Sequence, residues 1–258
     1  MGKLKEYGVW DTVLLPGTWR RHSNYSERLK AATSWNLTTS NLRERVGDVV
    51  RRSELSAAVK LMENPSLYPD YFINLAQSRP GVTLVGDITP SYALLGAEQL
   101  QTVKRAMEVA GFVVKTVFIL RDPVTRMESA YRMMLRRRPL AGPPKRETPP
   151  SLLNFAMREH NRERGNYLRT VNALDKAFGK DNVFYGQYET FFTTTEIGRL
   201  LSFLELTWLD PNLAHRINES GNMSENPTNE LAELREILSP IYEFCYRRFP
   251  KWDFQQWN

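Results

Sequence analysis

Arg121, Arg126 and Ser129 are spaced to hold a dianion. Arg121 closes the apolar run Val117-Phe118-Ile119-Leu120, and Asp122-Pro123 follows at once. An unbroken apolar run of this length predicts a strand covered on both faces, here feeding a helix. Asp122 can cap that helix, and Pro123 suits its first turn, where a missing N–H removes no hydrogen bond. Arg126 and Ser129 are three apart, so they share a face near the helix start. A helix amino end, a guanidinium fork and a hydroxyl together make an anion site. The carboxyl ends of strands are also where open α/β sheets bind ligands. A second reading of the same residues has Arg121 paired with a carboxylate and Ser129 merely packed.

The elements that must position these groups alternate along the chain. Val82–Asp87 reads as a strand after the Arg79-Pro80-Gly81 turn, and Ala97 to Ala110 as a helix with Leu100, Val103 and Met107 on one face, ended by Gly111. A strand over about 115–120 and a helix from Pro123 to about Arg138 follow. Residues 151–178 read as one or two helices, Asn182 to Tyr188 as a strand, Ile197 to Leu206 as a helix, and Glu230 to Phe249 as one long helix. The pattern predicts an α/β fold of three layers, a mainly parallel sheet flanked by helices, in a single domain over residues 1–258.

Composition narrows the chemistry. The 258 residues are 41% hydrophobic and 25% charged, ordinary values for a globular chain, and the net charge of +6 favours an anionic ligand or partner. The single Cys245 excludes an internal disulfide and a cysteine-rich zinc site. His22, His160 and His215 do not stand at metal-ligand spacing, so no metal is expected. No stretch reaches the ~20 apolar residues of a membrane span, and the amino end lacks a signal peptide's apolar core. The expected location is cytoplasmic, and the sequons at Asn24, Asn36, Asn218 and Asn222 are read as chance.

From Arg132 to Arg146 the chain carries six basic residues and no acid, broken by Pro139, Pro143 and Pro144. This reads as a helix end running into a stiff loop, either a solvated basic surface or a segment that meets an anionic acceptor or gates the nucleotide pocket. Nucleic acid is not the expected partner, because no aromatic residues interleave with these charges.

The segment Arg121-Asp122-Pro123-Val124-Thr125-Arg126-Met127-Glu128-Ser129-Ala130-Tyr131 resembles the 3′-phosphate-binding motif of sulfotransferases that use 3′-phosphoadenosine 5′-phosphosulfate (PAPS), R-[DN]-P-x-x-R-x-x-S-x-Y, and meets every fixed position. Four other segments resemble that family in the expected order. Lys5-Glu6-Tyr7-Gly8-Val9-Trp10-Asp11 is similar to K-E-x-x-aromatic-aromatic-D of the carbohydrate-type and related bacterial enzymes, with Val9 replacing the first aromatic. Gly86-Asp87-Ile88-Thr89-Pro90-Ser91-Tyr92 is similar to G-E-x-[ST]-P-x-Y, with Asp87 for glutamate. Phe178-Gly179-Lys180-Asp181-Asn182-Val183 with Tyr188-Glu189 resembles F-G-x-x-N-V…Y-E, and Trp252-Asp253-Phe254-Gln255-Gln256-Trp257 resembles the closing D-F-x-W.

The resemblance implies a P-loop-kinase-like sulfotransferase fold and sulfuryl transfer from PAPS to a hydroxyl or amine of a carbohydrate or small-molecule acceptor. It implies that Arg121 and Ser129 grip the 3′-phosphate, that Glu6 is the base, and that Lys5 binds the sulfate or acceptor. Two departures accompany it. The family's glycine-rich 5′-phosphosulfate loop normally lies well upstream of K-E, and only four residues precede Lys5; Gly17-Thr18-Trp19 echoes the loop without its lysine. The expectation is therefore a donor loop missing from the amino end. Where many relatives place Lys-Gly or Arg-Gly, this chain has Asn218 to Ser224, neutral apart from Glu219. Two rivals follow: a sulfotransferase-like nucleotide- or polyanion-binding protein with weak or no transfer activity, and a basic interaction protein.

Overall fold

The computed structural model describes residues 6–15, 55–137, 149–207 and 228–257, with the single positions 26, 30 and 53. The chain forms two compact units, Met1–Val114 and Lys115–Asn258.

In the first unit, α1 (Val9–Leu14) opens at Gly8, whose φ of 62° suits glycine because a side chain there would crowd the following carbonyl. A helical stretch over residues 55–63 and α2 (Leu67–Gln77) follow, and Pro90–Leu94 forms a 3-10 turn before α3 (Ala97–Val109). α3 is the helix the sequence predicts. Leu100 and Met107 on its inner face are buried, and it stops before Gly111, whose φ is 89°. The core here is aromatic: Trp10 meets Tyr68 edge-on at 5.2 Å between ring centroids, and Tyr7 meets Phe72 at 5.7 Å. The strand expected over Val82–Asp87 is not formed. That run has no ladder partner among the described residues, and Leu84 and Ile88 are each 43% exposed. Its polar end is engaged instead, through side chains described below.

The second unit holds a two-stranded parallel sheet. β1 (Thr116–Leu120) pairs with β2 (Val183–Gln187), Thr116 opposite Val183 and Leu120 opposite Gln187. Parallel strands need a long crossover. Among its described residues are α4 (Pro123–Arg137), α5 (Leu152–Ala156), α6 (Glu159–Gly165) and α7 (Tyr167–Phe178). Residues 151–178 thus form three helices rather than one or two. α8 (Tyr188–Phe191) and α9 (Thr194–Phe203) follow β2, then α10 (Thr228–Ile237), α11 (Ser239–Arg248) and a 3-10 turn at Gln255–Trp257. The long final helix expected over Glu230 to Phe249 is broken at Leu238. Pro240 in the first turn of α11 supplies no N–H and cannot continue a preceding helix.

The described residues are therefore mostly helical, with one small parallel sheet of α/β type. Leu120, Val124, Met127, Phe155, Val171 and Leu234 belong to the core that joins the end of β1 to α4, α5, α7 and α10. β1 is less covered than its apolar run predicts. Val117 is 40% exposed, and only Leu120 of the strand is fully buried.

Candidate anion site at the strand ends

Arg121 is the first residue past β1, and its backbone is clamped. The Tyr167 hydroxyl donates to the Arg121 carbonyl at 2.8 Å and accepts from the Arg121 N–H at 3.3 Å. Tyr167 is buried, and burial pushes its phenol up to about 12, so it remains a neutral donor and acceptor. The guanidinium lies over the Tyr188 ring, 4.7 Å from its centroid, and Nε donates to Thr125 Oγ1 at 3.2 Å. Among the described residues no carboxylate pairs with it, so both terminal guanidinium nitrogens keep their donors. The pairing of Arg121 with a carboxylate, open on sequence grounds, does not occur there.

Asp122 caps α4 as expected: its Oδ1 accepts from the Thr125 N–H at 2.7 Å. Its Oδ2 accepts from the Tyr242 hydroxyl at 2.6 Å, in a fully buried contact between residues 120 apart in sequence. The desolvated Tyr242 phenol, bonded to that carboxylate, is raised well above the usual tyrosine range. Glu189 accepts from the Asp122 N–H at 2.9 Å and from the Trp257 indole N–H at 2.8 Å. The Gln187 amide donates to the Asp253 carbonyl. The segments 121–131, 187–189 and 252–257 thus meet at the carboxyl ends of the two strands.

One sequence expectation needs correction. The N–H groups at the amino end of α4 are taken up within the protein, that of Val124 by the Tyr242 hydroxyl. Pro123 has none, Thr125 N–H bonds the Asp122 side chain, and Arg126 N–H bonds the Asp122 carbonyl at 2.9 Å. An anion held here is held by side chains. Ser129 lies half-buried in α4 one turn beyond Thr125, and no hydrogen bond of its hydroxyl is formed among the described residues. Arg126 is differently placed: its terminal nitrogen donates to the Asn161 carbonyl at 3.2 Å. A Cβ on Gly165 would come within 2.8 Å of that nitrogen, so the guanidinium is packed on the α6 backbone.

Glu6 belongs to the first unit, at the head of the segment before α1. The next two residues are fixed by the 86–92 segment. Tyr7 N–H donates to Asp87 Oδ1 at 3.4 Å, and Gly8 N–H donates to Thr89 Oγ1 at 3.2 Å. Asp87 also accepts from Thr89 Oγ1 at 2.6 Å, from Tyr92 at 2.7 Å and from Tyr68 at 3.0 Å. The two family-like segments of this unit are therefore docked on one another. Lys5, Gly17 to Trp19, the basic positions from Arg138 to Arg146 and Asn218 to Ser224 lie outside the described residues. Of the earlier basic positions, Arg132 faces Glu128 at 3.8 Å and Arg136 is exposed.

A shallow depression of about 560 Å³ lies at the amino end of β2, away from Arg121, and is lined in part by Lys180, Phe184, Tyr185, Arg199, Arg248 and Phe249. Its two arginines are already paired, Arg248 with Asp175 at 3.1 Å and Arg199 with Glu196. Concavity alone therefore points away from the site with unused donors. Sequence reading missed Tyr167 and Tyr242, lone tyrosines in helices with no local pattern. It did single out Tyr188 and Glu189, but only as part of a family likeness. Among the described residues no group of histidine, cysteine and carboxylates is arranged to hold a metal, and no helix is long and apolar enough to cross a membrane. No family model matches the chain, and no curated protein or solved structure does.

Proposed function

We propose that the chain is a PAPS-dependent sulfotransferase acting on a hydroxyl or amine of a carbohydrate or small molecule. The observation that carries this reading is Arg121: a fixed backbone at a strand's carboxyl end, a guanidinium stacked on Tyr188 and bonded to Thr125 one turn of α4 before Ser129, and terminal donors unspent among the described residues. Those side chains suit a phosphate dianion, which a planar guanidinium fork meets with two parallel hydrogen bonds. In this reading the two-stranded sheet belongs to a three-layer, mainly parallel sulfotransferase fold in one domain.

The roles follow from the chemistry. Arg121 and Ser129 hold the 3′-phosphate of the donor. Glu6 takes the proton of the acceptor as its oxygen or nitrogen bonds to sulfur, while the bond from sulfur to the 5′-phosphate oxygen breaks and 3′-phosphoadenosine 5′-phosphate (PAP) leaves. Lys5 binds the sulfate or acceptor, opposing the negative charge that develops on transfer. The reaction requires no metal or redox cofactor. The setting is cytoplasmic, with no nucleic-acid or membrane partner.

The test is transfer of label from radioactive PAPS to a panel of sugars, glycosaminoglycan fragments and phenols, alongside calorimetric titration with PAP. Expected are label transfer and a clear preference for PAP over adenosine 5′-phosphate. A second reading has one observation in its favour: Arg121 and Ser129 both belong to the Lys115–Asn258 unit, and Glu6 does not. It makes the chain a nucleotide- or polyanion-binding protein with weak or no transfer, and predicts PAP binding without label transfer.

A further inference from the structure

We propose that Asp87 is the positioning residue for Glu6, docking the backbone on either side of Tyr7 so that the Glu6 carboxylate is held toward one acceptor position. The inference rests on the reading of Glu6 as the base and adds the group that orients it.

The geometry is a four-donor hub. Tyr7 N–H, Thr89 Oγ1, Tyr92 hydroxyl and Tyr68 hydroxyl all converge on one carboxylate, and Thr89 in turn receives the Gly8 N–H. Thr12 Oγ1 completes the wrap by donating to the Gly8 carbonyl at 2.7 Å. The Glu6 peptide therefore leads directly into a backbone fixed at two successive N–H groups. Asp87 has no cationic partner among these groups: the tyrosines are neutral, and the other titratable group acting on this cluster is the Asp11 carboxyl, through Tyr92.

Burial raises the Asp87 carboxyl above its ordinary value, which its hydrogen bonds only partly offset. Such a buried charge costs stability at neutral pH. Asparagine would fill the same volume without the charge and accept the Tyr7 N–H through its one oxygen, while its NH2, standing where Oδ2 accepts from Tyr68 and Tyr92, would donate to their hydroxyls instead. A residue kept against stability is accounted for when its charge has a task. The task here is to hold strong, charge-assisted acceptor bonds along the segment that carries the base. A displacement of about 1 Å at a reacting group can cost a hundredfold in rate.

The experiment separates positioning from folding. In Asp87→Asn, thermal stability at pH 7 should equal or exceed that of the unchanged chain, and PAP affinity should stay within about twofold. The turnover number should nevertheless fall roughly ten- to a hundredfold. Asp87→Glu, the residue of the resembling motif, should restore part of it. Combining Asp87→Asn with Glu6→Gln should lose no more turnover than Glu6→Gln alone, because the two changes act on one step. Additive losses, or a stability loss parallel to the activity loss, overturn the proposal. Full turnover by Glu6→Gln with a slow Asp87→Asn overturns the assignment of the base and, with it, this role for Asp87. If PAPS is bound but no acceptor is labelled, amide hydrogen exchange decides. Faster exchange at Tyr7 and Gly8 in Asp87→Asn, with the rest of the unit unchanged, supports docking by Asp87; unchanged exchange overturns it.

Discussion

Exchanging Arg121 for alanine, and comparing it with the same change at Arg126, tests the anion site most directly. Both arginines belong to one motif, yet their side chains are used differently. Arg121 spends Nε on Thr125 and its face on Tyr188, leaving its terminal nitrogens. Arg126 gives a terminal nitrogen to the Asn161 carbonyl and packs on Gly165. A charge-assisted hydrogen-bonding partner is worth about 1.5–3 kcal/mol, and 1.4 kcal/mol is a factor of ten. Arg121→Ala should therefore raise the Kd for PAP roughly ten- to a hundredfold. Arg126→Ala should leave Kd within about threefold and instead lower the melting temperature, through a lost buried contact of about 1–3 kcal/mol. Arg121→Lys keeps the charge but loses the fork and the stacked plane, so it should recover only part of the affinity. Tyr188→Leu removes a stack of about 0.5–1 kcal/mol, a two- to fivefold loss. Isothermal titration with PAP and with adenosine 5′-phosphate reads all four. Equal affinity for the two nucleotides, or a larger loss at Arg126 than at Arg121, refutes the reasoning.

Three further outcomes are expected. Tyr167→Phe leaves the Arg121 N–H and carbonyl without their shared hydroxyl, so urea unfolding should show a loss of about 1–3 kcal/mol together with weaker PAP binding. Gly186→Ala would put a methyl 2.8 Å from Ile119 Cδ1, 3.0 Å from Phe191 and 3.2 Å from Phe184, and should destabilise the sheet by about 1–3 kcal/mol without a specific effect on nucleotide preference. Asp87 is raised from 3.8, so its contribution to stability is fully present below that pH and is lost as pH rises through the raised folded value; measured unfolding of Asp87→Asn should be flatter than that of the unchanged chain across this window, the gap widening toward neutrality.

The start of the candidate anion site was legible because its rules are local. An apolar run, an aspartate and a proline fix a strand end, a cap and a first turn within a few residues, and β1, the Asp122 cap and α4 stand where those rules put them. The break at Leu238 was also written locally, in Pro240, and the apolar periodicity on either side masked it. What could not be read is long-range. Tyr167 lies 46 residues from Arg121 and Tyr242 lies 120 from Asp122, and a lone tyrosine in a helix carries no sign of its partner. The 82–87 run failed for a related reason. Its β-branched residues suit a strand, but a strand forms only where a neighbour pairs with it, and that choice lies outside the run. The loss of the α4 amino end as an anion cradle is by contrast local: Asp122, the cap that makes the helix start readable, itself takes the Thr125 and Arg126 N–H donors.

That occupation explains how an arginine at this position stays available. Two carboxylates, Asp122 and Glu189, stand beside Arg121 and Tyr188 in sequence, and either could neutralise a neighbouring guanidinium. Each is satisfied by uncharged donors instead: Asp122 by the Thr125 N–H and the Tyr242 hydroxyl, Glu189 by the Asp122 N–H and the Trp257 indole. Trp257 and Tyr242 are held in turn by Arg235, which donates to the Trp257 carbonyl and lies 4.6 Å over the Tyr242 ring. The closing segment of the chain therefore acts on the site without facing a ligand. It ties up the local negative charge in neutral hydrogen bonds and leaves the positive charge of Arg121 uncompensated among the described residues. An uncompensated, partly buried guanidinium costs stability in the free protein. Binding an anion there would relieve that cost, and this is the physical argument for proposing the ligand at Arg121 rather than in the depression at the amino end of β2, where the arginines are already paired.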